Sequence, residues 1–158
     1  MEYRVLGKTG LKVSSMGFGG IPIQRIDAAG TRVLMEKLVE NGINYIDTAR
    51  GYSVSEQYLG EALEGIRDKF ILATKSMARD RDAMAKDIDI SCANLRTEYI
   101  DLYQVHNPSM AQLEQIAAEG GALEALQEAK AAGKIGHLGL YQAQAGRFFD
   151  RFLHLQAV

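Results

Sequence analysis

Four side chains in this sequence are of types that could together move a proton onto a carbonyl oxygen: Asp47, Tyr52, Lys75 and His106. A tyrosine alone is a poor donor at neutral pH, because its ordinary pKa is near 10. A lysine ammonium beside the phenol favours the phenolate and lowers that value. An aspartate beside the lysine would keep the ammonium charged and in place. A neutral histidine could hold the carbonyl oxygen by a hydrogen bond. The set would then complete the reduction of a carbonyl whose carbon receives a hydride. No amino acid carries a hydride, so a nicotinamide would have to supply it.

Taken singly, each residue has an ordinary explanation. Asp47 could cap a loop and Tyr52 could cover an apolar edge. Lys75 could lie on the surface, and His106 could sit in the turn before Asn107-Pro108. Their spacing argues for the set. Asp47 and Lys75 are 28 residues apart, and Lys75 and His106 are 31 apart (75 − 47 and 106 − 75). Each step is about one strand-helix-strand unit of 30 or so residues.

The elements that must position them alternate. "EYRVLGKTGLKV" reads as a hairpin with Gly7 and Gly10 at its turn, and "SSMGFGG" as a short strand entering a glycine loop. "GTRVLMEKLVENG" reads as a helix with Leu34, Met35, Leu38 and Val39 on one face. "INYIDT" is strand-like. "SVSEQYLGEALEGI" is helical, with Ser53 or Ser55 as its N-cap. "KFILATK" is a strand, and "DRDAMAKDIDISCANL" a helix with Met84, Ile88, Ser91 and Leu95 in line. "YIDLYQVH" is a strand, "GALEALQEAKAAGK" a helix and "IGHLGL" a fifth short strand. Strands alternating with helices predict an α/β fold with a parallel sheet and right-handed crossovers. Asp47, Lys75 and His106 each close a strand, so they are expected at the carboxyl end of the sheet, where such folds keep their sites.

Composition narrows the class. The 158 residues are 47% hydrophobic with a formal charge of −2, which suits one soluble domain and offers no basic footprint for nucleic acid or an anionic membrane. No apolar run reaches the roughly 20 residues of a membrane span, and "MEYRVLGKTG" has no signal-peptide core. The expected location is cytoplasmic. Cys92 is the only cysteine, so an internal disulfide is excluded. His137 and His154 lack partners at ligand spacing, and no metal site is expected.

The words "YRVLGKTGLKVSSMGFGG", "GINYIDTARGY", "FILATKSM", "DLYQVHNP" and "GKIGHLGL" resemble, in order and spacing, the aldo-keto reductase family. The resemblance runs from about Tyr3 to Leu140. It implies part of a TIM (β/α)8 barrel with a hairpin across its bottom, and NADP(H)-dependent reduction of aldehydes or ketones. By the same resemblance Tyr52 is the acid and Asp47, Lys75 and His106 complete its site. Gly19, Gly20 and Ile21 with Asp47 are then candidates for cofactor contact, and the substrate is a small carbonyl compound. "GGIPIQRI" and "ATKSMARD" further resemble a bacterial and archaeal branch that often carries a C-terminal iron-sulfur segment. No such segment is expected within these residues.

The resemblance stops near residue 140. Tyr141-Gln142 stands where the family usually has serine or threonine and then a small amide or histidine. Residues 141–158 read as a divergent tail with a helical stripe at Phe148, Phe149, Phe152 and Leu155. A full barrel takes about 250 residues and eight strands. Five are counted here, so the expectation is a chain truncated after about strand five. NADPH binding is then expected to be weak or absent, and bare strand edges are expected to favour self-association. The leading function is an NADP(H)-dependent carbonyl reductase by descent, and the sequence leaves open whether the short chain is active. The alternatives are a non-catalytic, self-associating fragment and, ranked lower, a Schiff-base lysine aldolase using Lys75.

Overall fold

The computed structural model describes residues 1–142. The chain begins with the expected hairpin. Gly7 and Gly10 take φ of 52° and 76°, a region open to glycine at no steric cost, and so return β1 (Tyr3–Val5) onto β2 (Lys12–Ser14). Asn44 fastens this hairpin to the rest. Its side chain accepts from Ser14 N at 2.7 Å and donates to Lys12 O at 2.9 Å. Asn44 precedes β4 (Tyr45–Asp47), so the hairpin lies at the amino end of that strand, opposite Asp47.

Five strands form one parallel sheet in the order β3 (Phe18–Gly19), β4, β5 (Ile71–Ser76), β6 (Ile100–His106) and β7 (Ile135–Tyr141). Each new strand joins the same edge. A doubly wound sheet would reverse direction at a switch point; a barrel adds strands in sequence. The register sets Gly19 beside Asp47, Lys75 beside Gln104 and His106 beside Tyr141. The carboxyl ends of these strands therefore share one rim.

Helices α1 (Ala28–Glu40), α2 (Ser55–Ala62), α3 (Arg81–Asn94), α4 (Met110–Ala117) and α5 (Ala122–Ala131) fill the connections. Met35, Leu59, Leu63, Met84, Ile88 and Leu95 are fully buried against Ile46, Leu72, Ile100 and Tyr103 of the sheet. Asp27 and Asp80 cap α1 and α3 through backbone N–H groups of Gly30 and Ala83, as short acidic side chains do at helix starts. Cys92 is a half-buried residue of α3 whose thiol burial pushes up, which makes it inert.

Three local expectations are corrected. Val39 is 38% exposed, because the helix buries Thr31 and Met35, with Leu34 and Leu38 partly buried beside them. Ser53 and Ser55 do not cap α2, whose N-cap is Val54 without a side-chain bond. Ser55 is instead buried, and its Oγ donates to Gly20 O at 2.9 Å. Helix α4 was unexpected, although Ser109 and Gln112 form a capping box that the sequence displays. The helical stripe predicted at Phe148, Phe149, Phe152 and Leu155 lies outside the described residues. No helix among the described residues is long and apolar enough to cross a membrane.

Gly60 shows how closely α2 and α3 approach. A Cβ at this position would overlap the backbone of Asn94 and lie 2.9 Å from the carbonyl carbon of Leu95. Overpacking of this kind typically costs about 1–3 kcal/mol. Gly60→Ala is therefore expected to lower the unfolding free energy by that amount, read as a lower denaturant midpoint at unchanged slope. A wild-type midpoint would show that the two helices part without penalty.

Candidate active site

Lys75 organises the rim. Its side chain is 0% exposed, yet its ammonium is satisfied. Nζ donates to Asp47 Oδ2 at 2.6 Å and to Thr48 O at 2.7 Å. The same Nζ stands 4.9 Å from the centre of the Tyr52 ring. The Tyr52 and His106 rings meet edge-on with centroids 5.8 Å apart. Asp47, Tyr52, Lys75 and His106 are thus brought together, three from strand ends and one from the loop that follows β4.

The loop from Thr48 to Val54 is pinned from below. Thr48 N donates to Ala73 O and Arg50 N to Lys75 O, each at 2.9 Å, so the loop is laid along the end of β5. Arg50 also reaches inward, donating to Glu56 Oε2 at 3.1 Å. Glu56 is a buried carboxylate that further accepts from Thr74, Ser91 and Asn94. Asp87 of α3 joins the same network, 3.5 Å from Arg50 Nε and hydrogen-bonded by Ser76 Oγ. Tyr52 therefore stands on a loop whose base is tied to three elements.

The electrostatics differ from expectation at the phenol. Lys75 was expected to lower the Tyr52 pKa. The value is instead raised above its ordinary 10.0, by burial first and by the Asp47 charge second. Burial disfavours the phenolate, and Asp47, paired with the lysine at 2.6 Å, adds its own negative charge near the ring. Tyr52 is consequently a phenol at neutral pH. His106 moves as expected. Burial, and then the charge of Lys75, hold its imidazole below the ordinary 6.5, so it is neutral near pH 7. Its Nδ1 is buried without a hydrogen-bond partner among the described residues. A buried orphan acceptor is less rare than a buried orphan N–H, which favours the tautomer with its proton on Nε2.

This shift has a consequence for stability. The native imidazole resists protonation while the unfolded one does not. Below about pH 6.5 the unfolded chain therefore binds more protons, and stability falls as pH falls. His106→Gln is expected to flatten that part of the acid limb when unfolding midpoints are measured across it. An identical limb in the variant would place the titration elsewhere.

The glycine loop divides in function. Gly19 is exposed, and no atom lies within 4 Å of the place a Cβ would occupy. Gly20 is buried: its N donates to Asp47 O at 2.8 Å, and a Cβ would come within 2.7 Å of Ser55 Oγ. Gly20 is thus required by packing. Ile21 is 54% exposed, just before the single turn Pro22–Arg25.

Sequence reasoning missed Gln104 and Tyr45 as neighbours of the site, and singled out Tyr141 only as a departure from the family's pattern. Gln104 is buried on β6 and donates to Asp47 Oδ1 at 3.2 Å, fixing the carboxylate's second oxygen. Tyr45 is pushed up to about 12 by burial and then by Asp47, so it too stays a phenol. Tyr141 joins the site: its ring meets His106 at 5.5 Å and Lys75 Nζ at 5.1 Å. These residues, with Gly17, Phe18, Gly19 and Asp47, line an open cavity of about 330 Å³. The pairing of Gln104 with Lys75 across the β5–β6 register was the one signal that could have found it.

Comparison with known proteins agrees with this arrangement. The chain is 33% identical over 89% of its length to L-galactose dehydrogenase of Arabidopsis thaliana, and likewise to aldo-keto reductase YhdN of Bacillus subtilis. It spans 48% and 46% of those two proteins, about half of each. Among solved structures, the holo form of aldo-keto reductase AKR11C1 from Bacillus halodurans superposes with a TM-score of 0.80 at 33% identity. That match covers 90% of this chain and 51% of that one. The sheet and hairpin described above thus correspond to part of that (β/α)8 barrel. Residues 15–148 match the model of the aldo/keto reductase family, and with them come all four residues of the rim: the chain belongs to that family.

Proposed function

We propose that this chain acts in NADP(H)-dependent reduction of aldehydes or ketones to alcohols, with Tyr52 as the proton donor. One observation carries the reading. A buried ammonium, Lys75 Nζ, is held by Asp47 at 2.6 Å and faces the Tyr52 ring, while His106 meets that ring from the next strand end. Family membership, and relatives whose names denote a dehydrogenase and a reductase, support oxidoreduction.

The residues present fit the nicotinamide end of the cofactor. The cavity beside Asp47 is open, and Gly19 leaves free space along the backbone. Gly19 and Asp47 would hold that end, with Gly20 carrying the loop and Ile21 offering an exposed apolar side chain. The nicotinamide, when bound, supplies the hydride that goes to the carbonyl carbon. The protein's part is the oxygen. His106 Nε2–H would hold the carbonyl oxygen and stabilise charge developing on it. The Tyr52 O–H would give its proton to that oxygen, which closes the balance at an alcohol. An alkoxide is more basic than a phenolate, so this transfer is favourable even with the raised Tyr52 pKa. Lys75 would stabilise the phenolate left behind, and Asp47, fixed by Gln104, would hold Lys75 in place.

The test is NADPH oxidation by the purified chain with a panel of small aldehydes and ketones. Substrate-dependent oxidation supports the reading, and none at any substrate concentration rejects it for this chain. The Schiff-base reading gains nothing from the geometry, because Lys75 Nζ is spent on Asp47 and Thr48 O. A non-catalytic, self-associating role is favoured by one observation. Among the described residues, β3 and β7 each have a strand neighbour on one side only. Sedimentation over a range of concentrations separates it: a mass that rises with concentration supports association.

A further inference from the structure

Arg79 lies in the loop after β5, beside the rim. Its guanidinium is half-buried and donates from Nη1 to Ala78 O at 3.1 Å and from Nη2 to His106 O at 2.8 Å. No aspartate or glutamate among the described residues pairs with it. Arg50 and Arg67, also half-buried, each meet a carboxylate, Glu56 at 3.1 Å and Asp101 at 2.7 Å. The charges next to Arg79 in sequence are engaged elsewhere. Asp80 caps α3 and Arg81 pairs with Glu128.

The charge balance of the rim makes this cation conspicuous. Lys75 is paired with Asp47. His106 is held neutral, and the charge of Arg79 is among the causes. Arg79 is the surplus. Burial lowers its pKa and no carboxylate among the described residues opposes the shift; its two partners are neutral backbone carbonyls. A guanidinium has five N–H donors. Two nitrogens here give one each to backbone carbonyls, so terminal donors remain. Arginine is suited to spend such donors on a carboxylate, in a planar charge-assisted pair.

We propose that Arg79 recognises a carboxylate carried by the carbonyl substrate, so that the site takes oxo acids in preference to neutral aldehydes and ketones. The proposal rests on the carbonyl-reductase reading given above. The bond from Arg79 to the backbone oxygen of His106 sets the cation at that residue, near enough for its charge to act on the imidazole that would hold the carbonyl oxygen. One small molecule could therefore engage both, with its carbonyl on His106 and its carboxylate on Arg79.

The first measurement needs no turnover. The His106 imidazole is followed by NMR while the chain, without cofactor, is titrated with benzoate, with benzamide as the neutral match and with inorganic phosphate as another oxyanion. Benzoate is expected to give a saturable shift and benzamide none. A charge-assisted hydrogen bond translates to an affinity loss of about 10- to 150-fold in Arg79→Gln, and to a smaller loss in Arg79→Lys. If the Gln variant does not fold, the benzoate and benzamide responses of the wild type decide alone. Equal responses to the two, or a benzoate response that persists in a folded Arg79→Gln, would overturn the proposal. Phosphate binding tighter than benzoate would overturn its assignment to a carboxylate. With NADPH present, kcat/KM for para-carboxybenzaldehyde over para-carbamoylbenzaldehyde should exceed one and fall toward one in Arg79→Gln. A benzoate shift without turnover of either aldehyde supports the carboxylate site and defeats the reductase reading alone.

Discussion

Tyr52→Phe is expected to reduce carbonyl reduction by roughly 10²- to 10⁴-fold, the usual contribution of a general acid, while the unfolding midpoint barely moves. The two halves of this expectation have separate grounds. The loss follows because the phenol O–H is the proposed proton source and phenylalanine has none. The unchanged stability follows from the packing. The Tyr52 hydroxyl has no hydrogen-bond partner among the described residues, and its contacts with His106 and Lys75 are made by the ring, which phenylalanine keeps. The proton is needed only as charge develops on the oxygen, so kcat and kcat/KM should fall together with KM little changed. Turnover that survives in the variant would remove Tyr52 from the acid role. A fall in KM-linked affinity alone would recast it as a wall of the pocket.

Much of this site could be read from the sequence, and the reason is geometric. In a parallel sheet wound in one direction, every strand end faces the same rim, so residues spaced by one strand-helix unit meet there whatever the helices do. Asp47, Lys75 and His106 obey that rule. What escaped depends on contacts between distant positions. Ser55 reads as a helix cap because serine often is one, but its hydroxyl is drawn to Gly20 O, 35 residues away. Glu56 carries no signal of its own in the sequence, and its burial is invisible until β5 and α3 are placed around it. The direction of the Tyr52 shift was misread for the same reason. A lysine near a phenol does not decide its pKa when burial and a neighbouring carboxylate act the other way, and the burial of Tyr52 and the approach of Asp47 are facts of three dimensions. Helix α4 is a different case. Its capping box was visible at Ser109 and Gln112, and the segment was passed over because its start follows directly on the His106–Pro108 turn.

Glu56→Ala is expected to destabilise the chain by about 3–5 kcal/mol, the range seen when one partner of a buried, hydrogen-bonded charge pair is removed. Glu56 is 1% exposed and accepts from four donors. Thr74 and Ser91 hydroxyls lie 2.8 Å from Oε1, and Arg50 Nη1 and Asn94 Nδ2 lie 3.1 Å from Oε2. Alanine would take the carboxylate from all four, leaving Ser91 with only the Tyr103 hydroxyl at 3.1 Å and Arg50 with only Asp87 at 3.5 Å. Small domains have about 5–15 kcal/mol in total, so the variant should be folded only marginally, with a sharply lower denaturant midpoint. The effect should come from stranded partners more than from the lost carboxylate. A double variant, Arg50→Met with Glu56→Leu, should therefore recover much of the loss, because replacing a buried pair by apolar groups is often neutral. Recovery of stability need not bring back function. The Arg50 side chain ties the Tyr52 loop inward while its backbone N–H holds Lys75 O, and the double variant lacks the first of these ties. Reductase activity in the refolded double variant should thus stay below wild type, with the deficit in kcat. Full activity at restored stability would show that the backbone bond alone positions Tyr52, and that the buried network serves the fold only.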